Sequence, residues 1–457
     1  MATQNFKLAV FAWMPSRGFA PAGLLTLSEI VGANPQNREL NSRFAYGVRY
    51  LERAEAIEVD PVSLSMDDRA AIRGQEFFPV NGLGEFGGIR DAAPDAWGRR
   101  VIEARRKVPA NSLPEAEYLL AAGGDRVGAL DVRREIDSPD SPSASNLQSL
   151  EYILQAAEAV ESGMPVPANL EQYLGAGPSA GGARPKASVR DEHGALWLAK
   201  FPTKGDAFDV ARAEMCTLEL ARRCGMTVPE VRYIMVGQKP VMLIRRFDRY
   251  WAQPGGLPDA GIVMHDSRPE KGLVEGRLPL ASGLTLVACS EFESRTKGYH
   301  DLAAAIRKYV NTDFIATNCE ELFARMVFNI FVSNDDDHLR NHAFVRDPRL
   351  GGWILSPLYD VVPRPGVAYE RQLHLEVGGQ GKLATLDNAL SYFSAFVSER
   401  TRAVDIIRRV WSELREWKTC FEEYGADAHL LEKLEGAFRR LEDIAQPDLV
   451  KEIRNNV

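Results

Sequence analysis

The chain is poor in the residues that staple or anchor a protein. Its 457 residues include only five cysteines and seven histidines, and Cys216, Cys224, Cys289, Cys319 and Cys420 form no CxxC pair. An odd, scattered set argues against both a disulfide framework and a zinc ribbon, so these thiols are expected to be reduced and to sit in the core. His338 and His342 stand four residues apart, but they bracket a stretch that reads as loop, and no zinc or iron site is expected there. Long apolar runs are also missing. Stretches such as Leu8 to Met14 fall well short of the ~20 residues that cross a bilayer. No charged leader with a cleavage site precedes one, so a cytoplasmic protein without a membrane partner is expected. The formal charge of −8 disfavours broad contact with nucleic-acid phosphates. The one basic cluster of the first part, Arg99-Arg100 and Arg105-Arg106-Lys107, is interrupted by Glu103 and reads as a solvated helix face.

A hydrophobic share of 45% is ample for packed cores, and the length is roughly three times that of a usual domain, so two or three domains are expected. Residues 1–130 mix short strands, at Lys7 to Met14 and Phe44 to Leu51, with a helix near Ala93 to Lys107. Asp137 to Ser143 is too polar and Pro-rich to pack and reads as a surface linker. Residues 131–250 combine helices, a Gly-rich loop and strands, ending in the apolar run Val241 to Ile244. Ala252 to Glu275 reads as an exposed excursion, and residues 251–457 turn helical beyond Leu278, with strong late stretches at Ala403 to Cys420 and His429 to Ile444.

The most informative stretch is Asn334-Asp335-Asp336-Asp337-His338-Leu339-Arg340-Asn341, followed by Leu358-Tyr359-Asp360. An aspartate five residues before an asparagine, with another aspartate further on, is a phosphoryl-transfer layout. The first takes a hydroxyl proton, and the other two offer hard oxygens to magnesium. An isolated run of this kind reads more readily as a solvated turn. Here it is flanked by the helical spacing of Leu322, Phe323, Met326, Val327, Ile330 and Phe331, and by the short strands Ala343-Phe344-Val345 and Trp353-Ile354-Leu355. Those buried elements would give a constellation of base and metal ligands rigid supports.

Upstream, Gly175 to Lys186, including Ser179, Gly181, Gly182 and Lys186, has the composition of a loop whose backbone N–H groups face phosphate. It does not follow the GxxxxGK[ST] order, and such runs are often plain loops. The apolar strand Ala195 to Pro202 then carries Lys200, and a helix is expected over Asp206 to Cys224 with Glu214 on it. Lys200 and Glu214 fit the kinase pairing of a phosphate-binding lysine with a helix glutamate. They fit equally a lysine that snorkels from a strand end and a glutamate that faces water.

Together these stretches resemble the HipA family of bacterial serine/threonine kinases, known as toxins of toxin–antitoxin pairs. The resemblance rests on Asp125-Arg126-Val127-Gly128-Ala129-Leu130, Ser179 to Lys186, Leu198 to Pro202, Arg246-Phe247-Asp248-Arg249, Phe328 to Phe344, and Leu355 to Asp360. It implies a two-lobed α+β kinase-like fold with a mixed α/β N-terminal lobe and an all-α C-terminal lobe. A cleft between the lobes would bring Lys200 to Asp336, Asn341 and Asp360. It also implies ATP and Mg²⁺ as cofactors, with Asp336 as catalytic base, Asn341 and Asp360 as magnesium ligands, and Lys200 as phosphate lysine. His338 is expected to brace the catalytic loop through hydrogen bonds. Ser179 aligns with the family's autophosphorylated serine, whose phosphate ejects its loop and switches the enzyme off. The implied partners are a protein substrate and a HipB-like DNA-binding antitoxin, with DNA reached only through the antitoxin.

The segment Arg277 to Leu286 departs from the commonest members, which carry an Asp- and Gln-containing segment there, and looks like a less studied branch. A small-molecule phosphotransferase and a non-catalytic, antitoxin-binding co-repressor are the alternatives that the same residues allow.

Overall fold

The computed structural model describes residues 2–31, 38–141, 145–173 and 182–455. The chain forms two compact units, one of residues 1–203, 234–288 and 345–349, the other of residues 204–233, 289–344 and 350–457. The expected divisions at 130 and 250 both fall inside the first unit. The helix carrying Glu214, expected with the nucleotide-binding part, belongs to the second.

The first unit opens with an antiparallel sheet. Strand β1 (Ala2–Met14) pairs with β2 (Gly18–Val31), β3 (Arg38–Tyr46) lies outside β2, and β4 (Leu130–Arg133) borders β1. Alternate residues of β1, Leu8, Val10, Ala12 and Met14, enter one core, as the period of two in a strand requires. In β2 the inward set changes from Ala20 and Ala22 to Leu25 and Leu27. The register slips between Val10 and Phe11, and this bulge restores the inward face after the change of parity. Gly23 sits at the slip, where a Cβ would stand 2.4 Å from the Ala45 carbonyl oxygen. The expected strand at Phe44 to Leu51 ends instead at Tyr46, and Val48–Leu51 forms a helical turn. There Tyr46 and Tyr50 bury their rings and donate their hydroxyls to the carbonyls of Leu64 and Ile57, both at 2.7 Å.

A second sheet, which lies in this unit except for the first residues of its edge strand β8, has β5 (Ser145–Asn146), β6 (Lys186–Arg190), β7 (Leu196–Lys200), β8 (Val231–Val236) and β9 (Lys239–Arg245) in the order β5-β6-β7-β9-β8. The helices Ala96–Arg106 and Leu150–Glu161 contribute Trp97, Val101, Ile153 and Leu154 to the core that also takes Trp197, Ala199 and Leu243 from the sheet. The linker expected from Asp137 onward is anchored in its described part: Arg133 pairs with Asp140 at 2.6 Å, and the Ser141 hydroxyl lies 3.2 Å from Asp131. The excursion after Ala252 is closed at its base by the antiparallel pair Arg249–Ala252 and Val274–Arg277.

The second unit is built mainly on helices, with the strand Gly352–Leu355 and a non-helical stretch over 356–385. Its central helix, Ile315–Val332, is buried from Leu322 to Val332 and packs against Tyr299–Tyr309 and Arg400–Leu414. The helix Val210–Arg223 packs on Trp417–Glu423, where Arg212 donates to the Tyr424 carbonyl at 2.8 Å. Both long helices expected near the end are broken. Arg400–Leu414 stops before Trp417–Glu423, and Ala428–Leu434 stops before Leu441–Ile444. The breaks let Trp417 and Phe438 stack with ring centroids 3.9 Å apart, a burial that one straight helix on each side would not supply. Among the described residues no helix is long and apolar enough to cross a membrane.

Candidate active site

The site begins where the central helix stops. Ser333 takes a left-handed conformation, φ 54°, and its hydroxyl donates to the Ala437 carbonyl at 2.7 Å. A non-glycine residue holds this conformation only where its surroundings fix it. The turn directs Asn334 to Asn341 away from the helix axis, and Asn334 is tied back by its side-chain amide to the Asn329 side-chain oxygen at 3.1 Å.

The three successive aspartates then part company. Asp337 is 1% exposed. Its Oδ2 accepts the Tyr299 hydroxyl at 2.5 Å, the Asn329 amide at 2.8 Å and a contact from His342 Nε2 at 2.9 Å. Burial pushes its pKa up, but the His342 charge and the hydrogen bonds from His342 and Tyr299 outweigh that and hold it below the ordinary carboxylate value. Asp336 points the other way, with 54% of its side chain exposed. Only the Asp336 carboxylate of this pair is open to a reactant, because Asp337 has committed its charge to the interior. Arg364 lies beside the open pair, with Nη2 2.7 Å from Asp336 Oδ2 and Nε 3.2 Å from Asp335 Oδ1.

Asn341 is positioned by the same loop. Its side-chain N–H donates to the Asp336 backbone carbonyl at 3.1 Å, and the His338 backbone N–H donates to that carbonyl at 2.8 Å. The carbonyl can only accept, so the Asn341 amide must turn its nitrogen towards Asp336 and its oxygen away. The Tyr359 hydroxyl donates to the Arg340 carbonyl at 2.7 Å, which ties the segment of Asp360 to that of Asn341. Asp360 has φ 59°, so two of the six described non-glycine residues with positive φ, Ser333 and Asp360, frame this loop. Asn341 and Asp360 offer two hard oxygen donors. That set suits magnesium, which completes its shell with water and phosphate oxygens. Among the described residues no group of three or more His, Cys, Asp and Glu could hold a metal by itself.

The brace expected of His338 takes another form. His338 Nδ1 is buried without a hydrogen-bond partner among the described residues, and its ring meets His374 edge to face at 5.8 Å. His342, through Asp337, supplies the side-chain brace.

The remaining expected site residues are divided between the units. Lys200 ends β7, half-buried, with Lys186 and Met242 as its register neighbours. Lys186 is 4% exposed, and its ammonium donates to Asp95 Oδ2 at 2.8 Å. Asp95 also caps the helix Ala96–Arg106 by accepting from Gly98 N at 2.6 Å, so Lys186 closes a buried ion pair at the start of that helix. Gly182 holds φ 91°, and a Cβ there would stand 3.1 Å from the Lys186 Nζ. Ser179 and Gly181 lie outside the described residues. Glu214 is buried in the second unit on the helix Val210–Arg223.

Two other sequence motifs prove to be one structure. Asp248 accepts from Arg246 Nη2 at 2.5 Å, from Arg249 Nη1 at 2.7 Å and from Gly128 N at 2.7 Å. Arg246 reaches the carbonyls of Asp125 and Arg126 at 3.1 and 3.3 Å. Burial raises the Asp248 pKa, and the flanking arginines overcome it and drive it far down. This buried knot lacks an exposed reactive group and acts as an anchor.

Residue patterns gave no cue to Arg364 or to the hub at Asp337, since three adjacent aspartates look alike until packing separates them. Tyr359 stood inside a motif already singled out, beside Asp360.

Comparisons with known proteins bear on the family and the fold. The family model of the HipA-like C-terminal domain matches residues 178–418, just over half of the 457 residues. A curated relative named "Putative kinase Y4mE" from Sinorhizobium fredii is 25% identical over 416 residues, covering 83% of this chain and 86% of its own length. Among solved structures, the HipA, HipB and operator DNA complex of Shewanella oneidensis contains a chain with a TM-score of 0.60, 15% identity and 94% of both chains covered. The Helicobacter pylori proinflammatory kinase CtkA gives a TM-score of 0.39 at 14% identity, covering 61% of this chain and 90% of its own. The fold is therefore the two-lobed α+β fold of the Shewanella chain.

Proposed function

We propose, from the premise that the chain belongs to the HipA family, that it is an ATP- and Mg²⁺-dependent protein serine/threonine kinase that also phosphorylates itself at Ser179. The observation that carries this reading is the separation of two adjacent carboxylates. Asp337 is locked in the interior, and Asp336 is left open beside an asparagine whose amide is anchored to the Asp336 carbonyl.

In the proposed reaction an acceptor hydroxyl oxygen bonds to the γ-phosphorus as the bond to the β–γ bridging oxygen breaks. Asp336 takes the hydroxyl proton, and ADP leaves. Asn341 and Asp360 would be the protein ligands of a magnesium ion, which when bound would neutralise charge at the phosphates. Lys200 is assigned to the nucleotide phosphates, and Glu214 to the charge that kinases pair with such a lysine. The glycines of the loop, Gly181 and Gly182, let backbone N–H groups approach the nucleotide. Lys186 serves this loop through its ion pair with Asp95, which fixes where the loop joins β6.

A phosphate on Ser179 adds about −1.5 to −2 charge next to the nucleotide phosphates. Repulsion then makes autophosphorylation an off-switch. The Shewanella chain is in a complex with HipB and operator DNA, which supports a HipB-like antitoxin as partner, with DNA reached through it. The reading is tested by following transfer of labelled γ-phosphate to protein with wild type and Asp336→Asn. Transfer that survives the substitution contradicts it.

A further inference from the structure

Arg364 is the feature of the site that the proposed chemistry does not use. It stands between Pro363 and Pro365, whose fixed φ angles stiffen the backbone beneath it. Its guanidinium spans Asp335 and Asp336, and all three side chains are about half-exposed, at 51%, 51% and 54%. Among the described residues the neighbouring Arg371 makes no hydrogen bond to these carboxylates, although its charge is felt by Asp335. Its guanidinium is held by the Ser333 hydroxyl and by the carbonyls of Gly366, Ala368 and Gly436.

A hydroxyl that is to give its proton to Asp336 approaches a carboxylate of which Arg364 already holds one oxygen, Oδ2. Half-exposed ion pairs are weak, so the guanidinium is displaced at little cost. The displacement is cheapest when the incoming molecule brings an anionic group of its own to replace Asp336 as the partner of Arg364.

Beside this point the chain offers an apolar surface. Val367 and Tyr369 are fully and 71% exposed, on a backbone pinned by Arg371 and by Arg439, which donates to the Tyr369 carbonyl at 2.8 Å. A fixed surface with one cation and two apolar side chains suits a polypeptide better than a small metabolite.

Resting on the kinase reading, we infer that Arg364 is a specificity-determining residue that selects protein acceptors whose hydroxyl is flanked by a carboxylate side chain. The acceptor carboxylate takes over the guanidinium and leaves Asp336 free to accept the proton.

The test uses full-length protein with Mg²⁺ and labelled ATP, and two serine peptides that differ only in Glu or Gln beside the serine. Wild type is expected to favour the Glu peptide by about fivefold in kcat/KM, the yield of one exposed ion pair. The preference should vanish in Arg364→Gln and survive only in part in Arg364→Lys, which keeps the charge but not the fork. A wild-type ratio near one, or a ratio unchanged in Arg364→Gln, overturns the inference while leaving the kinase reading intact. Failure to label either peptide or the chain itself overturns both.

Discussion

His342 Nε2 stands 2.9 Å from Asp337 Oδ2, in the interior directly behind the exposed carboxylate of Asp336. One residue of the loop is thus bound into the core while its neighbour is open to solvent. Asp337→Ala would leave the Tyr299 hydroxyl, the Asn329 amide and His342 without their shared acceptor. Removing the acceptor from buried polar partners costs about 3 kcal/mol or more, so a clear fall in the urea midpoint is expected. Asp336→Asn, at an exposed position, should change stability by less than about 0.5 kcal/mol while abolishing transfer. Equal stability losses for the two variants would contradict this division of labour.

Asp248 contributes to the pH dependence of the first unit. Its folded pKa lies far below the unfolded value of about 3.9. The stabilisation from Arg246 and Arg249 is therefore fully present above that value and is lost as pH falls towards the folded pKa. Asp248→Asn removes the carboxylate that two buried guanidiniums share, leaving Arg249 its longer contact to Glu275 at 3.5 Å, and is expected to cost about 3 kcal/mol at pH 7. The gap between wild type and variant in chemical denaturation should narrow as pH is lowered below about 4. A gap that does not change with pH would show that Asp248 is not charged in the folded protein.

Lys186 is expected to matter to folding as well as to the nucleotide loop. Lys186→Ala strands the Asp95 carboxylate, whose side chain is 7% exposed, although Asp95 keeps its cap bond to Gly98 N. The expected cost is about 3 kcal/mol, and it should be seen in denaturant melts without any nucleotide present. The double variant with Asp95→Ala should lose less than the sum of the two single changes.

All five cysteines are buried. Burial pushes the thiol of Cys216 up to about 12 and that of Cys420 up to about 11, so neither forms appreciable thiolate at neutral pH. Labelling with a thiol reagent at pH 7.5 should be slow in the native protein and complete in denaturant. Rapid labelling of the native chain would contradict the buried placement.

The parts of the fold that were legible in the sequence are those set by local pattern. The central helix up to Val332 and the strand after Asn341 followed from hydrophobic spacing, and the order Asp336, Asn341, Asp360 followed from residue type alone. What packing decides was not legible. Ala403 to Cys420 has one continuous helical period, yet the stack of Trp417 on Phe438 is a contact between distant residues that periodicity does not encode. Lys186 reads as part of a Gly-rich loop, but its partner Asp95 lies 91 residues earlier. Arg364 lies 28 residues beyond Asp336, and no short motif links them. Among three identical neighbours, burial alone distinguished Asp337 from Asp336.

The most direct test of the central claim is intact-mass and phosphopeptide analysis after incubation with Mg²⁺ and ATP, on wild type, Asp336→Asn and Ser179→Ala. Phosphate on Ser179 in the wild type, absent from both variants, is the predicted result. Phosphate that persists on Ser179 in Asp336→Asn, or a wild type that binds ATP and never becomes phosphorylated, would contradict the account.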